Sequence, residues 1–175
     1  MKMRVKVTSL CVAVVSLWVV GKATAGIVCF ETPVNYATGL DPRSVFAADL
    51  NGDGKPDLVV ADYNSDSVSV LLNNGDGTFA AGVKYRAGDG PIAVVAADLD
   101  GDNDADLAVA NELSSNISVL KNNGNGTFQA AFNFLVASAP SSIVAVDLDG
   151  DGDRDLAVTN SAINRISRSR ERFMT

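Results

Sequence analysis

One interval governs this chain. "DLNGDGKPDLVV" begins at Asp49, "DLDGDNDADLAVAN" at Asp98 and "DLDGDGDRDLAVTN" at Asp147, a spacing of forty-nine residues both times. The phase runs past these acidic stretches. "LLNNGDGTF" (71–79) returns as "LKNNGNGTF" (120–128), and Pro42, Pro91 and Pro140 fall on one beat. "FETPVNY" from Phe30 also lies in phase with "FAAGVKY" from Phe79. The chain therefore reads as a repeat region over 26–175, with units at about 30–78, 79–127 and 128–175. A fixed period of this length marks a repeat architecture, in which each unit buries its apolar faces only against its neighbours.

Every signal inside a unit is β. "SVFAADL" is a short apolar run into the acidic loop, and "DLVVADY" is a valine-rich run out of it. "SVSVLLN" alternates serine with valine, the period-two pattern of a half-buried strand. "NNGDGT" is turn chemistry, and "FAAGVKYRAG" is a more polar, outer strand. No segment sustains a helical period. Four strands in about fifty residues predict an all-β fold of β-propeller-type blades, each of four antiparallel strands, about three in number. A β-sandwich or β-solenoid is the alternative arrangement.

The acidic loops carry the chemistry. Counted from the first Asp, side-chain oxygens stand at positions 1, 3, 5 and 9: Asp49, Asn51, Asp53, Asp57; Asp98, Asp100, Asp102, Asp106; and Asp147, Asp149, Asp151, Asp155. Position 7 varies in side chain (Lys55, Asp104, Asp153), which suits a ligand supplied by the backbone carbonyl. Oxygen donors without His or Cys select Ca²⁺ over transition metals. Two carboxylates about 5 Å apart repel by roughly 3 kcal/mol at an effective dielectric near 20, so such loops call for a counter-cation. Loops two and three hold five carboxylates each against three in loop one, and on that count they fill first. Helical calcium motifs need a carboxylate at position 12, where this chain has Val60, Val109 and Val158.

The first twenty-five residues read as a cleaved secretory signal. Lys2, Arg4 and Lys6 precede a short apolar run, and "ATA" at 23–25 gives a cleavage site before Gly26. Cleavage would remove four of the fourteen basic residues and no acid, leaving ten against twenty-one. A chain this acidic is a poor binder of phosphate backbones, so no nucleic-acid partner is expected. Cys29, the one cysteine left, cannot form an internal disulfide. With no histidine anywhere, Ser–His–Asp and Cys–His catalysis are absent, and most aspartates are committed to the loops. The expectation is a non-enzyme.

"DLNGDGKPDLVVADYNSDSVSVLLNNGDGTF", its copy from Asp98 and "DLDGDGDRDLAVTN" together resemble the FG-GAP / VCBS repeats of extracellular β-propellers, including the calcium-binding blades of integrin α chains. The resemblance implies Ca²⁺ held by the loop residues named above. It also implies a secreted, periplasmic or cell-surface protein, not inserted in the membrane after signal cleavage, whose propeller face serves adhesion or binding of a glycan or protein ligand. Alternatives are a calcium-stapled spacer, a fragment of a larger propeller protein, or a non-catalytic module of a polysaccharide-active enzyme. The variable loops after each second strand, with Asn64, Asp66, Glu112 and Asn116, are the candidate ligand contacts. Closed propellers of this family have more than three blades, so the chain either continues in further blades or assembles as a homo-oligomer. From about Arg165 the repeat pattern fails: "RISRSRERFMT" stands where "NISVLKNNGNG" is expected, and a truncated or frame-shifted reading frame would account for it.

Overall fold

A computed structural model describes residues 32–169; Cys29 and the segment 1–25, expected from the sequence to be a secretory signal, lie outside the described residues. Eleven strands are described: β1 Pro42–Ala48, β2 Asp57–Asp62, β3 Ser67–Leu71, β4 Val83–Arg86, β5 Pro91–Ala97, β6 Asp106–Asn111, β7 Asn116–Leu120, β8 Phe132–Leu135, β9 Pro140–Val146, β10 Asp155–Asn160 and β11 Arg165–Ser169. They form three antiparallel meanders, β1-β2-β3-β4, β5-β6-β7-β8 and β9-β10-β11. Besides strands, the described residues hold only single 3₁₀ turns at Tyr63–Ser65 and Ser161–Ile163. The all-β expectation holds, and so does the count of three repeated sheets. The arrangement is that of an incomplete propeller.

Two details refine the sequence reading. Each four-stranded sheet closes on a strand from the start of the next sequence unit, since β4 and β8 follow Phe79 and Phe128. The repeat pattern also outlasts its motif. β11 forms in register with β10, pairing Thr159 with Ile166 and Ala157 with Arg168, although the residues there no longer match the repeat.

The core explains why "DLAVAN" folds as a central strand. Along β6, Leu107 and Val109 face the first sheet, while Ala108 and Ala110 face the third. All four are fully buried, which is the period-two alternation of a strand covered on both faces. Val59, Ala61, Val68 and Val70 complete the first layer, and Ile117, Val119, Ile143, Leu156 and Val158 the second. Burying each of the larger side chains contributes roughly 1.5–3 kcal/mol. This packing fixes the sheets face to face and holds the β1–β2, β5–β6 and β9–β10 hairpins, which carry the acidic loops, at one common end.

Candidate metal centre

In each hairpin the ninth loop position is the anchor. Asp57 sits at the first residue of β2 with no exposed surface, and its carboxylate accepts from Leu50 N–H at 2.9 Å and from Asn73 N–H at 2.7 Å. Asp106 repeats this with Leu99 N–H at 3.3 Å and Asn122 N–H at 2.7 Å. In the third sheet Asp155 accepts from Leu148 N–H at 3.0 Å. One side chain thus ties the loop's entrance to the turn after the third strand. Asn122 adds a link between sheets, donating through Nδ2 to the Leu50 carbonyl at 2.8 Å.

The first position curls the loop. Asp49 accepts from Gly52 N–H at 2.8 Å and Gly54 N–H at 2.7 Å, Asp98 from Gly101 and Asn103, and Asp147 from Gly150 and Gly152. The turn needs a left-handed residue at the sixth position, supplied by Gly54 (φ 78°) and in the second loop by Asn103 (φ 70°), the non-glycine residue that tolerates it best. These N–H donors hold the Asp147 carboxyl below the usual carboxylate range.

The three loops then part company. In loop two, carboxylate oxygens of Asp98, Asp100 and Asp106 lie within 4.8 Å of one another. Burial pushes the Asp106 carboxyl up to about 6, with the nearby Asp100 and Asp102 charges adding to the rise. Asp100 is held low by Lys121, whose Nζ donates to Oδ2 at 2.8 Å, while its buried Oδ1 has no hydrogen-bond partner among the described residues. In loop three the close set is Asp147, Asp149 and Asp151. There Arg168 of β11 reaches in and pairs with Asp155 at 2.6 Å and Asp149 at 3.2 Å. Arg168 stands where the first two sheets have Val70 and Val119, and the sequence alone gave no account of it. Loop one has no cluster of three acids; Asp53 pairs with the Lys55 ammonium at 3.1 Å, which lowers its carboxyl. Asp102 accepts from Asp104 N–H and Asp151 from Asp153 N–H, so both stay within the loop curl.

At the opposite end, the residues singled out as ligand contacts are partly spent on the fold. Asn116 is buried in β7 and accepts from Asn111 Nδ2 at 2.8 Å, which commits it to the fold rather than to a ligand surface. Asp66 accepts from Gly90 N–H, and Asn64 donates to Asp41. Glu112 accepts from Tyr63 O–H at 2.9 Å, and the Arg43 guanidinium lies 4.9 Å from the Tyr63 ring centre. This cluster joins the first two sheets, and no sequence motif marked it.

A family model for the FG-GAP-like repeat matches residues 49–109 and 98–158, more than half of the chain. The chain belongs to the FG-GAP-like repeat family. The two matches overlap across the second acidic loop, so the family unit runs from one acidic loop through the strand beyond the next. No curated protein matches the chain. Among solved structures, the chain is similar to one described as the structural basis of specific recognition of non-reducing terminal N-acetylglucosamine by an Agrocybe aegerita lectin, with 27% identity and a TM-score of 0.45. The match covers 66% of this chain and 32% of that one, so the chain spans about a third of that lectin's length.

Proposed function

We propose that this FG-GAP-like chain is a secreted, non-catalytic calcium-binding module whose propeller-type scaffold presents loops to an extracellular glycan or protein. The observation that carries the metal reading is the buried, unpartnered Oδ1 of Asp100, beside the carboxylates of Asp98 and Asp106. A buried anionic oxygen without a partner is costly, and a hard divalent cation removes that cost. Asp98, Asp100 and Asp106 would hold Ca²⁺ in loop two, with Asp102 and the Asp104 carbonyl in reach of the same curl. The bound ion would neutralise the loop and brace the β5–β6 hairpin.

The order of filling follows from the neighbours rather than from carboxylate number alone. Loop two comes first, because its cluster includes the buried Asp106. Loop three comes later despite its five carboxylates, because Arg168 pairs there with two of them, Asp149 and Asp155, whereas in loop two Lys121 pairs with Asp100 and leaves its Oδ1 without a partner among the described residues. Titration calorimetry with CaCl₂ tests this reading: uptake is expected, together with a rise in melting temperature that a chelator reverses. No heat at millimolar Ca²⁺ would refute it. A panel of glycans and matrix proteins, run with Ca²⁺ and with chelator, separates a binder from a calcium-braced spacer.

A further inference from the structure

The residues just before β1 are placed as the last strand of a sheet whose other strands are not among the described residues. Tyr85 of β4 packs edge-on against Phe128, with ring centres 5.3 Å apart. Forty-nine residues earlier, Tyr36 packs edge-on against Phe79 at 5.4 Å. The chain beyond follows the same template: Tyr63 N–H donates to the Asp41 carbonyl at 3.0 Å, as Glu112 N–H does to that of Gly90 at 2.9 Å. Residues 36–41 therefore sit against the first sheet as residues 85–90 sit against the second. Yet 32–38 belong to no sheet.

The third sheet shows the complementary lack. Among the described residues β11 pairs with β10 alone, and none of them lies along its outer edge as a fourth strand. The apolar faces agree. Ile166 is 73% exposed, while its counterpart Ile117 is 2% exposed under the third sheet. Val144, Val146 and Leu148 are likewise uncovered. At the other end Val45 is 62% exposed, while its counterparts Val94 and Ile143 are buried in the joints between sheets. The two free faces are thus the two halves of a joint this molecule already makes twice.

We propose that a second copy of this chain completes the third sheet: its segment around Tyr36–Thr38 adds to the edge of β11, and its first sheet seats on the exposed face of β9–β11. The repeat fixes the register. Ser67 pairs with Arg86 and Val68 with Tyr85 in the first sheet, so Arg165 pairs with Ala37 and Ile166 with Tyr36 of the second copy. Ala87 N–H donates to the Asp66 carbonyl, and Val136 N–H to that of Ser115. By the same rule Thr38 N–H of the second copy donates to the Asn164 carbonyl, whose residue shares their left-handed backbone (φ 53°). The same copy cannot supply this strand without leaving Phe79, because its own second sheet lies between. The joint is heterologous, and two such joints close a ring of two copies. An edge strand with an apolar face is a template for such pairing. The proposal needs neither cation nor ligand, so it stands or falls apart from the function proposed above.

Sedimentation of the full chain across a concentration series, with Ca²⁺ present, is expected to show a dimer. Val45→Glu and Val144→Glu should each give monomer, and an equal mixture of the two should recover a two-chain species through its one intact joint. Circular dichroism checks that both variants fold. Independently of those variants, Ala37→Cys with Arg165→Cys, in a Cys11→Ser and Cys29→Ser background, should oxidise to an inter-chain disulfide that neither cysteine forms alone. Monomer at every concentration overturns the proposal, as does failure of the mixture to associate or of the cysteine pair to cross-link. Association that survives both glutamate variants also overturns it.

Discussion

Replacing Asp62 by asparagine should make this protein more stable, by an amount the structure allows one to work out. Asp62 closes β2 with no exposed surface. Its Oδ2 accepts from Ser69 Oγ at 2.6 Å, but Oδ1 has no partner among the described residues, and neither has the buried Oγ of the neighbouring Ser67. A carboxylate offers acceptors only, whereas a carboxamide brings two N–H donors. The other sheets already carry the carboxamide. Asn111 Nδ2 donates to Asn116 Oδ1 and Ser118 Oγ, both at 2.8 Å, and Asn160 Nδ2 donates to Ser167 Oγ at 3.0 Å. Asp62→Asn would turn the carboxamide nitrogen toward the two serines at the equivalent places, Ser67 and Ser69. The carboxamide keeps one oxygen without a partner, as in Asn111 and Asn160, but replacing a buried anion by a neutral group and adding a hydrogen bond is worth about 1–3 kcal/mol. For a chain of this size that is a rise in melting temperature of roughly 2–12 °C. Asn111→Asp is the mirror experiment and should cost a similar amount, because it strips two donors from a buried network. Thermal unfolding followed by circular dichroism measures both. A lower melting temperature for Asp62→Asn, or an unchanged one for Asn111→Asp, would refute the reasoning.

Arg168→Val restores the residue type of the first two sheets and removes the counter-charge on Asp149 and Asp155. It should lower stability without calcium and raise third-loop affinity for Ca²⁺ by about tenfold, one unit charge removed at close range; an unchanged isotherm would count against Arg168 as the competitor. Asp106 predicts a pH dependence. Its carboxyl stands at about 6 in the folded chain, above its ordinary value, so its contribution to stability is fully present below about 4 and is lost as pH rises through 6. Asp100 and Asp147, held low, act in the opposite sense: their contribution is present above that ordinary value and is lost as acid protonates them. Calcium must displace the Asp106 proton, so affinity at loop two should fall below pH 6, approaching tenfold per unit; a flat affinity between pH 5 and 7 would exclude Asp106 as a ligand.

Much of this was legible in the sequence because repetition averages out local ambiguity. One run such as "DLAVAN" could be a strand or a buried helical turn. Three copies in phase, each between an acidic loop and a turn, leave only the strand. The acidic loops were legible because a ligand pattern at alternate positions is local. What stayed hidden depends on which groups meet across sheets. Arg168 looked like damage to a strand until β11 placed its guanidinium beside two loop carboxylates. Asn116 looked like a loop residue open to a ligand, but it belongs to β7 and a buried network. Tyr36 matched Tyr85 in phase, yet only the ring contact with Phe79 showed a strand set apart from its sheet. Tyr63 and Glu112 carry no motif, and their hydrogen bond exists only because neighbouring sheets bring the loops together.

The link from Asn122 to the Leu50 carbonyl joins one sheet to the one before it, and the two core layers do the same through their side chains. Within a single copy, and among the described residues, stability is then counted in neighbours: the middle sheet has two, and each outer sheet has one. Loosening begins at the ends, and β6 and β7, buried along their whole length, are the last to let their amides exchange with solvent. Damage to the middle sheet costs both joints at once, whereas damage to an outer sheet costs one, so the same substitution weighs differently according to which beat of the repeat it falls on.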